Sequence, residues 1–169
     1  MQNIKYFISI LVIVAFVACD KYDIQGFFIS PSKERVNERF EQSIAYNELH
    51  KNDTLIVTSM DDYCFYVAAD VHVKTTAKHL ALFLDVASKD EKSLYSIILG
   101  DITDQKNGLQ IAYDTIENHK GNSIIRTVAG NHDIYFDQWS EYYSLFGSST
   151  YYFIVKTPTA SDLFIALDS

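Results

Sequence analysis

The chain has 169 residues, 48% of them hydrophobic and 21% charged, with only 6 Gly and 2 Pro. That composition excludes disordered, collagenous and linker-rich architectures and leaves room for one domain with a sizeable core. Lys and Arg number 14 against 22 Asp and Glu, a net charge of −8, which argues against binding to a nucleic-acid backbone, because such binding runs on basic surface. Anionic small substrates stay open, since bound metal ions reverse the local sign. Two cysteines are too few for a disulfide framework.

Lys5 is the only charge before Asp20, and the run from Phe7 to Ala18 is apolar but for Ser9. At ~1.5 Å per residue this run reaches ~18 Å, well short of a ~30 Å hydrocarbon core. Residues 1–18 therefore read as an export signal, with an uncleaved signal anchor as the alternative. Cys19 ends the run, after Val17-Ala18 and before Asp20-Lys21. The pattern resembles a bacterial lipoprotein signal, with Phe16 where such signals usually carry leucine. The resemblance implies that Cys19 becomes the acylated first residue of the mature chain. The protein would then be exported to the cell envelope and lipid-anchored to a bacterial membrane.

Residues 19–62 read as an N-terminal extension. Pro31-Ser32-Lys33-Glu34-Arg35 opens a polar helix running to about His50, with Val36, Phe40 and Ile44 at i, i+4, i+8 spacing. Thr54–Thr58 reads as a short strand. From residue 63 the pattern alternates. Cys64–Ala69 is a short apolar run, as expected of a strand covered on both faces, and Cys64 reads as a small core hydrophobe. Thr75–Ser88 carries Ala77, Leu80, Ala81, Leu84 and Ala87 at helical spacing. Leu94–Leu99 is the next strand. Leu109, Ala112, Tyr113 and Ile116 mark a second helix that ends near His119-Lys120-Gly121. Ile124–Ala129 is a third strand and Asp137–Phe146 a third helix. Tyr151–Val155 and Leu163–Leu167 are two more strands. Strands separated by helices predict an α/β fold with βαβ units and largely parallel inner strands.

Three strand ends carry similar chemistry. The first runs into Asp70-Val71-His72, the second into Gly100-Asp101 with Asp104 close behind, and the third into Gly130-Asn131-His132-Asp133. In an open α/β sheet, ligands bind beyond the carboxyl ends of the strands. Carboxylate, imidazole and amide oxygen together suit divalent cations such as Mn, Fe or Zn. The step from Asp70 to Asp101 is 31 residues and from Asp101 to Asn131 is 30, one βα unit each, so the clusters should meet at one edge of the sheet.

These blocks resemble the calcineurin-like metallophosphoesterases, whose fingerprint is D-x-H, G-D and G-N-H-D or G-N-H-E after successive strands. The resemblance covers about residues 63–169 and implies a layered α/β sandwich around a binuclear metal centre that hydrolyses phosphate mono- or diesters. It implies that Asp70 and His72 bind a first metal, that Asp101 bridges both and that Asn131 binds the second. His132 would act on the substrate phosphate and leaving oxygen, oriented by Asp133. Asp104 would hold the imidazole of His72 from behind, because a metal-bound imidazole usually donates its other N–H; a turn or helix-cap role is the alternative. The family also has G-H and G-H-x-H blocks supplying three more histidines, and no histidine follows Asp133 here. The expectation is therefore a domain whose N-terminal portion is in hand, truncated at Ser169. A catalytically inactive envelope lipoprotein that keeps the fold as a binding module is the alternative. So is a one-metal structural site. His50, His79 and His119 read as structural or solvent-facing, and the cluster Trp139, Tyr142, Tyr143, Phe146 reads as core.

Overall fold

The computed structural model describes residues 33–51, 53–59 and 62–168, all within one compact unit that begins at Pro31. The export signal and Cys19 lie outside the described residues. Helix α1 (Val36–Leu49) and strand β1 (Thr54–Ile56) come first. Strand β2 (Cys64–Ala69), helix α2 (Lys78–Ala87), strand β3 (Ser93–Leu99), helix α3 (Gly108–His119) and strand β4 (Ile124–Val128) follow. They form two successive βαβ units whose strands lie in the order β2-β3-β4, parallel throughout. A 3₁₀ turn at His132–Asp137, helix α4 (Trp139–Phe146) and strands β5 (Tyr151–Lys156) and β6 (Ser161–Ala166) complete the chain. The fold is mixed α/β, as the alternation predicts.

The helices cover one face of the parallel sheet for a reason visible in their spacing. α2 buries Leu80, Leu84 and Ala87, and α3 buries Leu109, Ala112 and Ile116, one stripe per helix. Those stripes pack with Ile98 of the central strand and with Trp139 and Tyr142 of α4, so the aromatic cluster is core. Each fully buried Leu or Ile contributes ~1.5–3 kcal/mol. A second sheet has the order β1-β5-β6, with β1 parallel to β5 and β6 antiparallel to it. The segment read as an extension thus supplies a strand to the fold. Between the two sheets lie Tyr95, Phe153 and Val155, with Phe164 stacked 4.9 Å from Phe153. The guanidinium of Arg126 sits 4.1 Å from the Phe153 ring centroid in the same layer, where burial pulls its pKa down.

α1 turns the other way from its expected stripe. Val36, Phe40 and Ile44 are 51%, 49% and 40% exposed, while Arg39 and Ser43 are buried. Polar pairing decides the orientation. Arg39 donates to both carboxylate oxygens of Asp168, at 2.8 and 3.1 Å, and its guanidinium lies 5.7 Å from the Trp139 ring. Trp139 donates to Gln42 at 2.7 Å, and Asn47 to the Thr150 carbonyl at 2.8 Å.

β2 also differs from expectation. Its side chains alternate between half-buried and exposed, so one of its faces is left largely uncovered, whereas β3 buries consecutive residues such as Tyr95 and Ser96. Cys64 is half-buried and donates to Asp90 at 3.2 Å. Burial and that carboxylate push its thiol upward, away from nucleophile chemistry. The third helix begins later than Asp137, because Phe136 and Asp137 adopt left-handed φ of 58° and 63° and break the helical path.

Candidate metal centre

Past the ends of β2, β3 and β4 the loops keep pairing for a few residues. Gly100 N–H donates to the Val128 carbonyl at 2.9 Å, His72 N–H to the Asp101 carbonyl at 3.0 Å, and Val73 N–H to the Ile102 carbonyl at 2.7 Å. The strand ends are thereby tied side by side, and the side chains they carry converge. Asp70, His72 and Asp101 each bring one ligating atom within 4.8 Å of the others. All three take left-handed backbone torsions, with φ of 52°, 42° and 47°. Asp70 is exposed, and His72 and Asp101 are half-buried.

The glycines are demanded by close approach. A Cβ on Gly100 would meet the Gly130 Cα at 3.0 Å, and Gly100 itself has φ of 64°. A Cβ on Gly130 would stand 2.2 Å from Asp101 Oδ1 and 2.4 Å from its backbone nitrogen. Any side chain there would push Asp101 out of the cluster.

The loop after β4 closes on the same place. His132 N–H donates to Asp101 Oδ1 at 3.1 Å, and the His132 ring stands edge-on to the His72 ring with centroids 5.2 Å apart. Asn131, predicted as a ligand, donates from Nδ2 to the Tyr135 hydroxyl at 2.7 Å. Tyr135 is a contributor that the sequence reading missed. No strand end or glycine marks it; the only signal is a hydroxyl four residues after the amide.

Asp133 has a structural part that the sequence does not announce. Its carboxylate is fully buried and accepts Thr103 N–H at 3.0 Å and Gly130 N–H at 2.9 Å. It staples the loop after β4 to the loop after β3. Burial pushes its pKa up to about 7, against the pull of those N–H donors, and the nearby Asp101 charge adds to the rise. Thr103 was also missed; its hydroxyl donates to the Val73 carbonyl at 2.8 Å, extending the staple to the loop after β2.

Asp104 stands close to His72 without a hydrogen bond to it. Its Oδ2 is 3.8 Å from His72 Nδ1 and 3.2 Å from Lys74 Nζ. His72 Nδ1 and Asp104 Oδ1 are both buried atoms without a hydrogen-bond partner. The donor set of two carboxylates, an imidazole and a neighbouring amide fits a borderline divalent cation. His50 stacks on Tyr46 with centroids 4.0 Å apart, His119 bonds Asp85 at 2.9 Å, and His79 is exposed; none of them joins the cluster. A groove of about 1110 Å³ beside Tyr46, Tyr113 and Tyr151 contains none of the converging residues, so the chemistry points to the strand ends.

No family model, curated protein or solved structure matches the chain.

Proposed function

We propose that this chain is a metal-dependent phosphoesterase of the calcineurin-like kind, hydrolysing a phosphate mono- or diester at a binuclear centre. The observation that supports it best is the meeting of Asp70, His72 and Asp101 beyond three adjacent parallel strands, with His132 N–H bonded to Asp101. In this reading Asp70 and His72 would hold one cation, Asn131 a second, and Asp101 would serve both. Divalent cations bound there would supply an activated water and Lewis-acid polarisation of the phosphoryl oxygens. The residues supply the rest. Asp101 is fixed by the His132 amide, so one of its oxygens is oriented before any ligand arrives. The His132 imidazole, edge-on to His72 at the mouth of the cluster, donates a hydrogen bond or proton to the departing oxygen. Asp104 holds the imidazole of His72 on its far side. Asp133 keeps the two loops in register without touching the substrate.

Metal titration and ester hydrolysis test this together. Asp101→Ala should abolish both metal retention and hydrolysis of aryl phosphate esters, even with excess Mn²⁺ or Zn²⁺. His132→Ala should keep most of the metal while hydrolysis falls ~10²-fold or more, the scale of general acid–base help. The loss should shrink for esters with very acidic leaving groups, which depart without protonation. Full hydrolysis by Asp101→Ala would refute the reading. Equal metal loss in both variants would make His132 a ligand instead.

A further inference from the structure

We propose that Tyr135 is a positioning residue whose hydroxyl sets the orientation of the Asn131 amide and thereby the affinity of the second cation; this rests on the binuclear reading above. An amide has two unlike ends, and only its oxygen can ligate a cation. Rotating the Asn131 side chain by half a turn about its last bond would present the NH₂ end instead. The structure commits Nδ2 to the Tyr135 hydroxyl at 2.7 Å, which fixes which way round the amide lies and turns Oδ1 to the opposite side.

The position of Tyr135 is itself held from several sides. Its side chain is 9% exposed, and its ring packs 4.8 Å from the His132 ring, centroid to centroid. Directly after it the chain reverses through the left-handed torsions of Phe136 and Asp137. Asp137 is in turn held by the backbone and ammonium of Lys33. This kink stops the helix that the sequence predicts from Asp137. The 3₁₀ turn that precedes the kink runs from His132, and it brings a hydroxyl four residues along the chain to the amide. The fixed distance and the burial leave the hydroxyl little freedom to release Asn131. A metal-binding amide held this way loses less freedom on ligation, as outer-shell partners do elsewhere.

The experiment is a Mn²⁺ titration by calorimetry on the wild type, Tyr135→Phe, Asn131→Asp and the double variant Asn131→Asp/Tyr135→Phe. Tyr135→Phe should weaken one binding step ~10- to 100-fold, the usual range for loss of an outer-shell partner, and leave the step belonging to Asp70 and His72 unchanged. A carboxylate has two equivalent oxygens and no wrong end. In the Asn131→Asp background, removing the hydroxyl should therefore change affinity far less. A second readout needs no metal: the side-chain amide protons of Asn131, followed by NMR, should exchange with solvent more slowly in the wild type than in Tyr135→Phe. Unchanged affinity or exchange in Tyr135→Phe overturns the proposal, as does the same loss in the Asn131→Asp background. Equal weakening of both steps also overturns it, because that is the mark of a merely structural residue. A wild type that binds fewer than two Mn²⁺ ions sinks the binuclear reading, and the exchange measurement then decides the Tyr135–Asn131 bond separately.

Discussion

Asp133 shows how a residue in a chemical motif can serve the scaffold. Both of its oxygens accept backbone N–H groups, one from each of two loops. An asparagine in its place has one acceptor and would turn an NH₂ toward the second donor. Asp133→Asn should therefore lower stability by ~1–3 kcal/mol, the cost of a buried group left unsatisfied, measurable by urea unfolding. It should also weaken metal binding, because the loops carrying Asp101 and Asn131 are no longer stapled. A variant as stable as wild type would show that the staple is not needed. The strand ends of the centre were legible in the sequence, since glycine, carboxylate and histidine recur at one βα unit each. The aim of Asp133 was not, because its partners are backbone atoms, which carry no residue identity. Tyr135 was hidden for a related reason. Its bond to Asn131 joins two side chains of one short 3₁₀ turn, and the strand–helix alternation does not announce that turn.

Among the elements, α1 is the one whose packing the hydrophobic pattern misreads. Periodicity finds apolar stripes, but Arg39 and Asp168 are 129 residues apart, and a pattern read along one helix cannot see such a pair. Their side chains are only 4% and 6% exposed, so neither charge has water to fall back on. Breaking one partner of a buried pair leaves the other charge stranded, at a typical cost of ~3–5 kcal/mol. Arg39→Met should destabilise on that scale, and adding Asp168→Leu should recover much of the loss. Thermal melts of the wild type and the two variants check this; a harmless Arg39→Met would mean that Asp168 regains solvent when α1 shifts. The βαβ elements, by contrast, were readable almost to the residue. Their stripes at Leu80-Leu84-Ala87 and Leu109-Ala112-Ile116 are satisfied by the helix layer next to them.

For the whole molecule, the export reading makes a prediction outside the described residues. If Cys19 carries lipid, two or more acyl chains suffice for stable anchoring where one does not. Cys19→Ser should then leave the protein soluble or unprocessed, as fractionation and intact mass would show. Unchanged membrane association and mass would contradict the anchor. The fold itself carries a tension between being stable and holding its ligands. Asp70, His72 and Asp101 all occupy the backbone region that glycine prefers, and such torsions cost of order 1–3 kcal/mol each. In the absence of cation those torsions are a cost that the Asp70 side chain does not visibly offset, whereas Asp101 at least accepts the His132 N–H. Asp70→Gly should melt at or above the temperature of the metal-free wild type while losing metal affinity, whereas Asp70→Val, which resists that torsion, should melt lower. If Asp70→Gly melts clearly lower instead, the torsion at this position is not a burden. Otherwise glycine is the one replacement that makes these three positions sturdier and chemically silent, and only a bound cation weighs against it.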